Sequence, residues 1–162
     1  DSKATNPHAA QAAIDGHTRV VLIAGGLLKG APVDELIARS ADRLAGVVAI
    51  GRDRDVIVDA IARHAPQVPA VTVFTGDDGL VITHRTADEV RTAPEAGIDP
   101  SDAVMAQAVR SAHALAVAEG GSPAVLLAPA AASLDMFAGY GARGDSFAAA
   151  AIALPGATVA ER

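Results

Sequence analysis

The sequence contains no cysteine and no tryptophan, a single tyrosine and three phenylalanines. Without cysteine there can be no disulfide, no thiol nucleophile and no zinc–thiolate site, and nothing points to secretion. Aromatic residues make up 2% of the chain against 51% for all apolar types. The core must therefore be built from Ala, Val, Leu and Ile, a mixture that suits helices laid on a buried parallel sheet better than an aromatic-rich β-sandwich. Lysine is scarce as well: of 13 Lys plus Arg residues, only Lys3 and Lys29 are lysines. No apolar run approaches the roughly 18–20 residues that a bilayer crossing needs; the stretch 124–132 is apolar but far too short. The net charge of −6, with a pI near 5.2, and the scattering of the arginines argue against contact with nucleic acid.

A length of 162 residues fits one domain with a real core, and neither an internal repeat nor a dividing linker is visible. The opening Asp1-Ser2-Lys3 carries neither an initiator Met nor a signal-peptide pattern. It reads as an interior piece of a longer cytoplasmic protein.

Strands alternate with helices. Asn6-Pro7 is a helix start, Asn as N-cap and Pro where its missing N–H costs nothing, with the helix running to Asp15 and closed by Gly16. Residues 19–24 form an apolar strand that ends in the loop Gly25-Gly26-Leu27-Leu28-Lys29-Gly30. Val33, Leu36, Ile37, Ser40 and Leu44 fall at helical spacing and predict a helix over 32–44. A second strand follows at 47–50, then a helix marked by Val56, Ile57, Ala60 and Ile61, then a third strand at 70–74. Residues 75–99 mix a short strand (80–83) with Gly, Pro and charges and read as an irregular excursion. The clearest helix opens at Ser101 or Asp102 and stops at Gly120-Gly121. After a strand at 124–128, Ser133 is expected to open a short helix through Phe137. Gly139, Gly141 and Gly144 then break regularity before a last helix near Asp145, and the tail from Pro155 is expected to fray. Alternation of this kind implies parallel βαβ units, hence a three-layer, Rossmann-like α/β domain with a mostly parallel sheet flanked by helices.

In such a sheet, ligands bind beyond the carboxyl ends of the strands. Two loops with suitable residues lie there, 25–30 and 129–133, and the segment 1–6 leads into the first helix. Lys29, after a Gly-rich turn, could set a compact positive charge against a carboxylate or phosphate; an ordinary exposed loop lysine would look the same. Because Gly30 follows Lys29, the loop is not the phosphate-binding G-x-x-x-x-G-K-[ST], nor is it G-x-G-x-x-G. Ser133 at a helix start would offer free N–H groups and the positive dipole end to a carboxylate, although Ser as N-cap with Asp135 in the first turn also stabilises a helix without any ligand. The histidines, at 8, 17, 64, 84 and 113, have no metal-ligand spacing.

Three segments together resemble the Mur ligase family, specifically its D-glutamate-adding members. They are Asp1-Ser2-Lys3-Ala4-Thr5-Asn6, then Ile23-Ala24-Gly25-Gly26-Leu27-Leu28-Lys29-Gly30, and finally the run from Leu126-Leu127-Ala128-Pro129 through Ser133-Leu134-Asp135-Met136-Phe137. Arg143-Gly144 and Phe147 follow in the family's usual relation. Tyr140 stands where the family often has Phe, which keeps an aromatic wall but adds a hydroxyl, and Ala128 replaces a frequent Ser.

The resemblance implies the C-terminal, amino-acid-binding domain of an ATP-dependent, amide-forming ligase of peptidoglycan precursor synthesis. By it, Thr5, Lys29, Ser133 and Leu134 would hold the two carboxylates of D-glutamate, with Tyr140 beside the ligand, and Asp1 and Lys3 would face the nucleotide. It further implies that ATP, Mg²⁺ and UDP-MurNAc-L-alanine are bound mainly by other domains, that the protein is a cytoplasmic monomer, and that this chain alone is inactive. The alternatives are a ligase adding another amino acid, a folylpolyglutamate-type synthetase, or a non-catalytic α/β module binding a small anion. A free-standing NAD dehydrogenase is least supported, for want of a dinucleotide fingerprint.

Overall fold

A computed structural model describes residues 1–160. Its elements are α1 (Pro7–Asp15), β1 (Val20–Gly25), α2 (Asp34–Ser40), β2 (Leu44–Ile50), α3 (Arg54–His64), β3 (Ala70–Thr75), β4 (Val81–Arg85), β5 (Asp88–Thr92), α4 (Pro100–Glu119), β6 (Ala124–Leu127) and α5 (Tyr140–Ile152). The six strands form one sheet in the order β5-β4-β3-β2-β1-β6. β6, β1, β2 and β3 are mutually parallel; β4 and β5 are antiparallel additions at one edge.

Every residue of β1 and β2 is buried, because helices cover both faces of the sheet. Side chains alternate across a strand, so Val20, Leu22 and Ala24 join the core beneath α1, α2 and α3, while Val21 and Ile23 join the one beneath α4. The three-layer, mostly parallel architecture read from the sequence is what the chain adopts. Branched aliphatics and alanines fill both cores. At α4 the face Val104, Met105, Ala108, Val109, Ala112 and Leu115 is buried, and truncating a fully buried residue such as Met105 to Ala would cost about 2–5 kcal/mol.

Several expected boundaries are corrected. The helix expected over 32–44 ends at Ser40. Leu44 instead starts β2 opposite Val20, where burial against a neighbouring strand outweighs its helical spacing. The excursion 75–99 contains a two-strand meander. β4 pairs with the β3 edge and β5 with β4, and β5 was hidden because its five residues are all exposed and carry no apolar alternation. The long helix opens at Pro100, capped by the Asp99 carboxylate accepting from Ser101 N–H at 2.8 Å. The last helix begins at Tyr140 rather than near Asp145 and runs through Gly141 and Gly144.

The Ser133 helix does not form. Met136 and Phe137 both donate to the Ser133 carbonyl (3.0 and 2.8 Å), closing a single turn that goes no further. One turn has no appreciable dipole, so no helix-end field draws a carboxylate to Ser133.

Candidate functional site

Consecutive strands β1, β2 and β3 march across the sheet in one direction, and β6 returns to the other side of β1. The chain order reverses between β1 and β6, and beyond the carboxyl ends of such a pair lies the crevice where open α/β sheets take ligands. The loops leaving β1 and β6 both end up there, and the backbone ties them together. Leu27 and Ala132 exchange hydrogen bonds in both directions (2.9 and 3.0 Å), and Gly25 N–H donates to Pro129 O at 2.9 Å.

That closeness dictates the glycines. A Cβ on Gly25 (φ +118°) would stand 2.0 Å from the Ile50 carbonyl oxygen, and one on Gly26 (φ +130°) 2.3 Å from that of Ala132. Positive φ and lack of space select the same residue type at both positions.

The opening segment joins the same place. Ala130 N–H donates to Ala4 O at 3.0 Å, and the Asp1 backbone nitrogen donates to Leu127 O. Thr5 N–H is bonded to Lys3 O at 2.8 Å and Lys3 N–H to Asp1 Oδ1 at 3.2 Å, which curls residues 1–5 over the end of β6. Ser2 Oγ donates to Tyr140 O at 2.7 Å, so Tyr140, at the start of α5, is tied to this segment too.

Of the residues singled out from the sequence, the backbone thus gathers Asp1, Lys3, Thr5, Lys29, Ser133 and Tyr140 around the β1 and β6 ends. Lys29 is exposed in a left-handed conformation (φ 53°). Among the described residues its ammonium forms no ion pair. Ser133 is buried, whereas Leu134 is 66% exposed and Tyr140 49% exposed. A cleft of about 440 Å³ opens next to the Ser133 turn, lined among others by Gly51, Arg52, Arg54, Ser101 and Asp135. Lys29 does not line it.

The sequence named Arg143 only within the resemblance and Asp135 only as a first-turn acid; the contacts by which they brace this arrangement were not legible in it. Arg143, 1% exposed, donates to Ala131 O (2.9 Å), Ser2 O (2.8 Å) and Ser2 Oγ (3.1 Å). Burial lowers its pKa to about 10 while the negative charge of Asp135 opposes that shift, so the guanidinium stays charged at neutral pH. Asp135 does not cap a helix; its Oδ2 accepts from Arg52 N–H at 2.8 Å. Asp53, unremarked in the sequence, accepts from Leu28 N–H at 2.7 Å. Among the described residues no group of three or more His, Asp or Glu is placed to hold a metal ion, and no helix is long and apolar enough to cross a membrane.

No family model matches the chain. Curated relatives do. The UDP-N-acetylmuramoylalanine–D-glutamate ligase of Mycolicibacterium smegmatis is 55% identical over 96% of this chain and 32% of its own length. The ligase of the same name from Rhodococcus jostii is 60% identical over 91% of the chain and 29% of itself. That of Mycobacterium leprae is 47% identical over 93% and 30%. The chain spans about a third of the length of these relatives. Identity at this level across nearly every element, with the resembling segments brought to one end of the sheet, places the chain in the Mur ligase family, as the counterpart of a domain-sized segment of its D-glutamate-adding ligases.

Proposed function

We propose that this chain is the C-terminal, amino-acid-binding domain of a UDP-N-acetylmuramoylalanine–D-glutamate ligase and that it supplies the D-glutamate pocket. The observation that carries the reading is the double hydrogen bond between Leu27 and Ala132, which sets the Lys29 loop beside the Ser133 turn at the point where strand order reverses. A small dicarboxylate needs two cationic or donor-rich subsites. Here Lys29 provides the charge, Thr5 and Ser133 the hydroxyls and Leu134 the backbone N–H, with Tyr140 as an aromatic wall. Asp1 and Lys3 are assigned to the nucleotide side, at the end of β6.

In the reaction, the carboxylate of UDP-MurNAc-L-alanine is activated by ATP as an acyl phosphate. The D-glutamate amine attacks it, and collapse of the tetrahedral intermediate yields the amide, ADP and phosphate. What this domain contributes is placement: it fixes the two carboxylates so that the amine meets the acyl carbon, converting an encounter into a near-unimolecular step. Closure onto the ATP-binding domain completes the site and excludes water. Mg²⁺ and the phosphates are held mainly outside this chain in this reading. The protein acts as a cytoplasmic monomer in this reading.

Titration calorimetry of the full-length protein with D-Glu, L-Ala and L-Lys, in the presence of the nucleotide substrate, tests it. Selective binding of D-Glu is expected; equal binding of the three, or preference for L-Lys, overturns it.

A further inference from the structure

Residues 51–53 connect β2 to α3 and belong to neither loop of the proposed pocket, yet they touch both. Asp53 clasps the Lys29 loop in two directions: its Oδ2 accepts from Leu28 N–H at 2.7 Å, and its own N–H donates to Gly26 O at 3.0 Å. One residue earlier, Arg52 N–H donates to Asp135 Oδ2 at 2.8 Å, which fastens the other end to the Ser133 turn. Leu28 adjoins Lys29 and Asp135 adjoins Leu134, so each of the two carboxylate bonds ends one residue from a proposed ligand-binding group.

The contact between the three segments is close. A Cβ on Gly51 (φ +79°) would lie 2.6 Å from Gly26 Cα and 2.7 Å from Asp135 Oδ2. From the far side, Arg54 donates to Gly51 O at 3.0 Å while its guanidinium lies 4.0 Å from the Phe74 ring centroid, which fixes the loop against β3. Two local rules are broken here. Asp53 is the N-cap residue of α3, yet its side chain makes no capping bond because its carboxylate is engaged across the loop. Asp135 keeps Oδ1 buried and without a partner, a costly state for a carboxylate oxygen. Departures from local preference of this kind concentrate where geometry serves a site.

We infer that residues 51–53 form a splint that sets the Lys29 loop and the Ser133 turn at a fixed separation, with Asp53 and Asp135 as its positioning residues for the D-glutamate pocket. The inference rests on the proposed function, since the separation matters because one dicarboxylate must bridge the two loops. Neither aspartate touches the ligand; each acts through the backbone of its neighbour.

The test is steady-state kinetics of the full-length ligase carrying Asp53→Ala, Asp53→Asn, Asp135→Ala, Lys29→Ala, or Asp34→Ala as a control that breaks ion pairs between α2 and α3 away from the pocket. Losing a charge-assisted hydrogen bond that fixes the pocket raises KM for D-glutamate by about tenfold. The expected result is that rise for Asp53→Ala and Asp135→Ala, with KM for ATP unmoved. Asp53→Asn, which keeps an acceptor oxygen, stays within about threefold of wild type, as does Asp34→Ala. If Asp53→Ala does not fold, Asp135→Ala decides from the other end. Should Lys29→Ala raise KM for D-glutamate while neither aspartate variant does, or should the aspartate variants lower kcat alone, the splint is wrong and the pocket stands. Should Lys29→Ala also leave KM unchanged, the pocket assignment itself falls.

Discussion

Arg143 and Ser2, 141 positions apart, are joined twice: Nη2 donates to the Ser2 carbonyl at 2.8 Å and Nε to its hydroxyl at 3.1 Å. The third arm of the fork, Nη1, holds Ala131 O at 2.9 Å. One buried guanidinium thus binds the opening segment, the loop after β6 and helix α5 into a single body at the edge of the candidate pocket. Arg143→Ala leaves two carbonyls without this donor and opens a void. A loss of about 3 kcal/mol or more is expected in chemical denaturation. Arg143→Lys recovers less than half of it, because a compact ammonium cannot span three acceptors arranged for a planar fork.

Lys29 stands at the opposite extreme. It is exposed and unpaired among the described residues, so folding does not depend on its charge. Lys29→Ala is expected to shift unfolding free energy by less than about 0.5 kcal/mol while raising KM for D-glutamate about tenfold or more in the full-length enzyme. A substitution that changed stability and left KM alone would reverse the assignment.

The glycines of the β1 loop separate space from backbone conformation. Gly25→Ala places a methyl 2.0 Å from the Ile50 carbonyl oxygen at φ +118°. It should cost more than about 4 kcal/mol, a large share of a domain's stability. Gly30→Ala meets nothing within 4 Å at φ +78°, leaving a conformational penalty of about 1–2 kcal/mol. Thermal denaturation of the two variants should rank them in that order.

On the surface, Asp34 accepts from Arg63 at 2.7 Å and contacts His64 Nε2 at 2.8 Å, tying the start of α2 to the end of α3. Hydrogen bonds from Arg63 and then His64 hold its pKa below the ordinary 3.8. A carboxylate lowered on folding stabilises fully above its unfolded pKa and loses that contribution as pH falls through the folded value. The Tm difference between wild type and Asp34→Asn is therefore expected to be present at neutral pH and to vanish in acid, beginning below pH 3.8. A difference that persisted at lower pH would point to packing instead of charge.

The chain by itself should not turn over. In the proposed function ATP and the nucleotide substrate are bound mainly outside these residues, so incubation of these 162 residues with ATP, Mg²⁺, UDP-MurNAc-L-alanine and D-glutamate is expected to release no ADP. ADP release above background would show that the catalytic apparatus lies here.

The sequence determined the alternation of strands and helices, the capped start of α1 at Asn6-Pro7 and the buried face of α4, because side-chain periodicity and capping act within a few residues. It also singled out the loops of Lys29 and Ser133, since parallel strands deliver both to the same end of the sheet, whereas Thr5 was singled out only by the family resemblance. Elements whose identity depends on a partner were not legible. β5 is a strand because β4 lies beside it, Leu44 leaves the helix because Val20 is opposite, and Asp135 in the Ser133 turn is bonded to Arg52 instead of capping a helix. Tertiary structure alone showed what Arg143, Asp53 and Gly51 touch around the candidate pocket. The Asp53 bond to Leu28 spans 25 residues and the Arg143 bonds to Ser2 span 141, and hydrogen bonding at such separation leaves no local pattern, being set by which chain segments the sheet brings within 3 Å of one another.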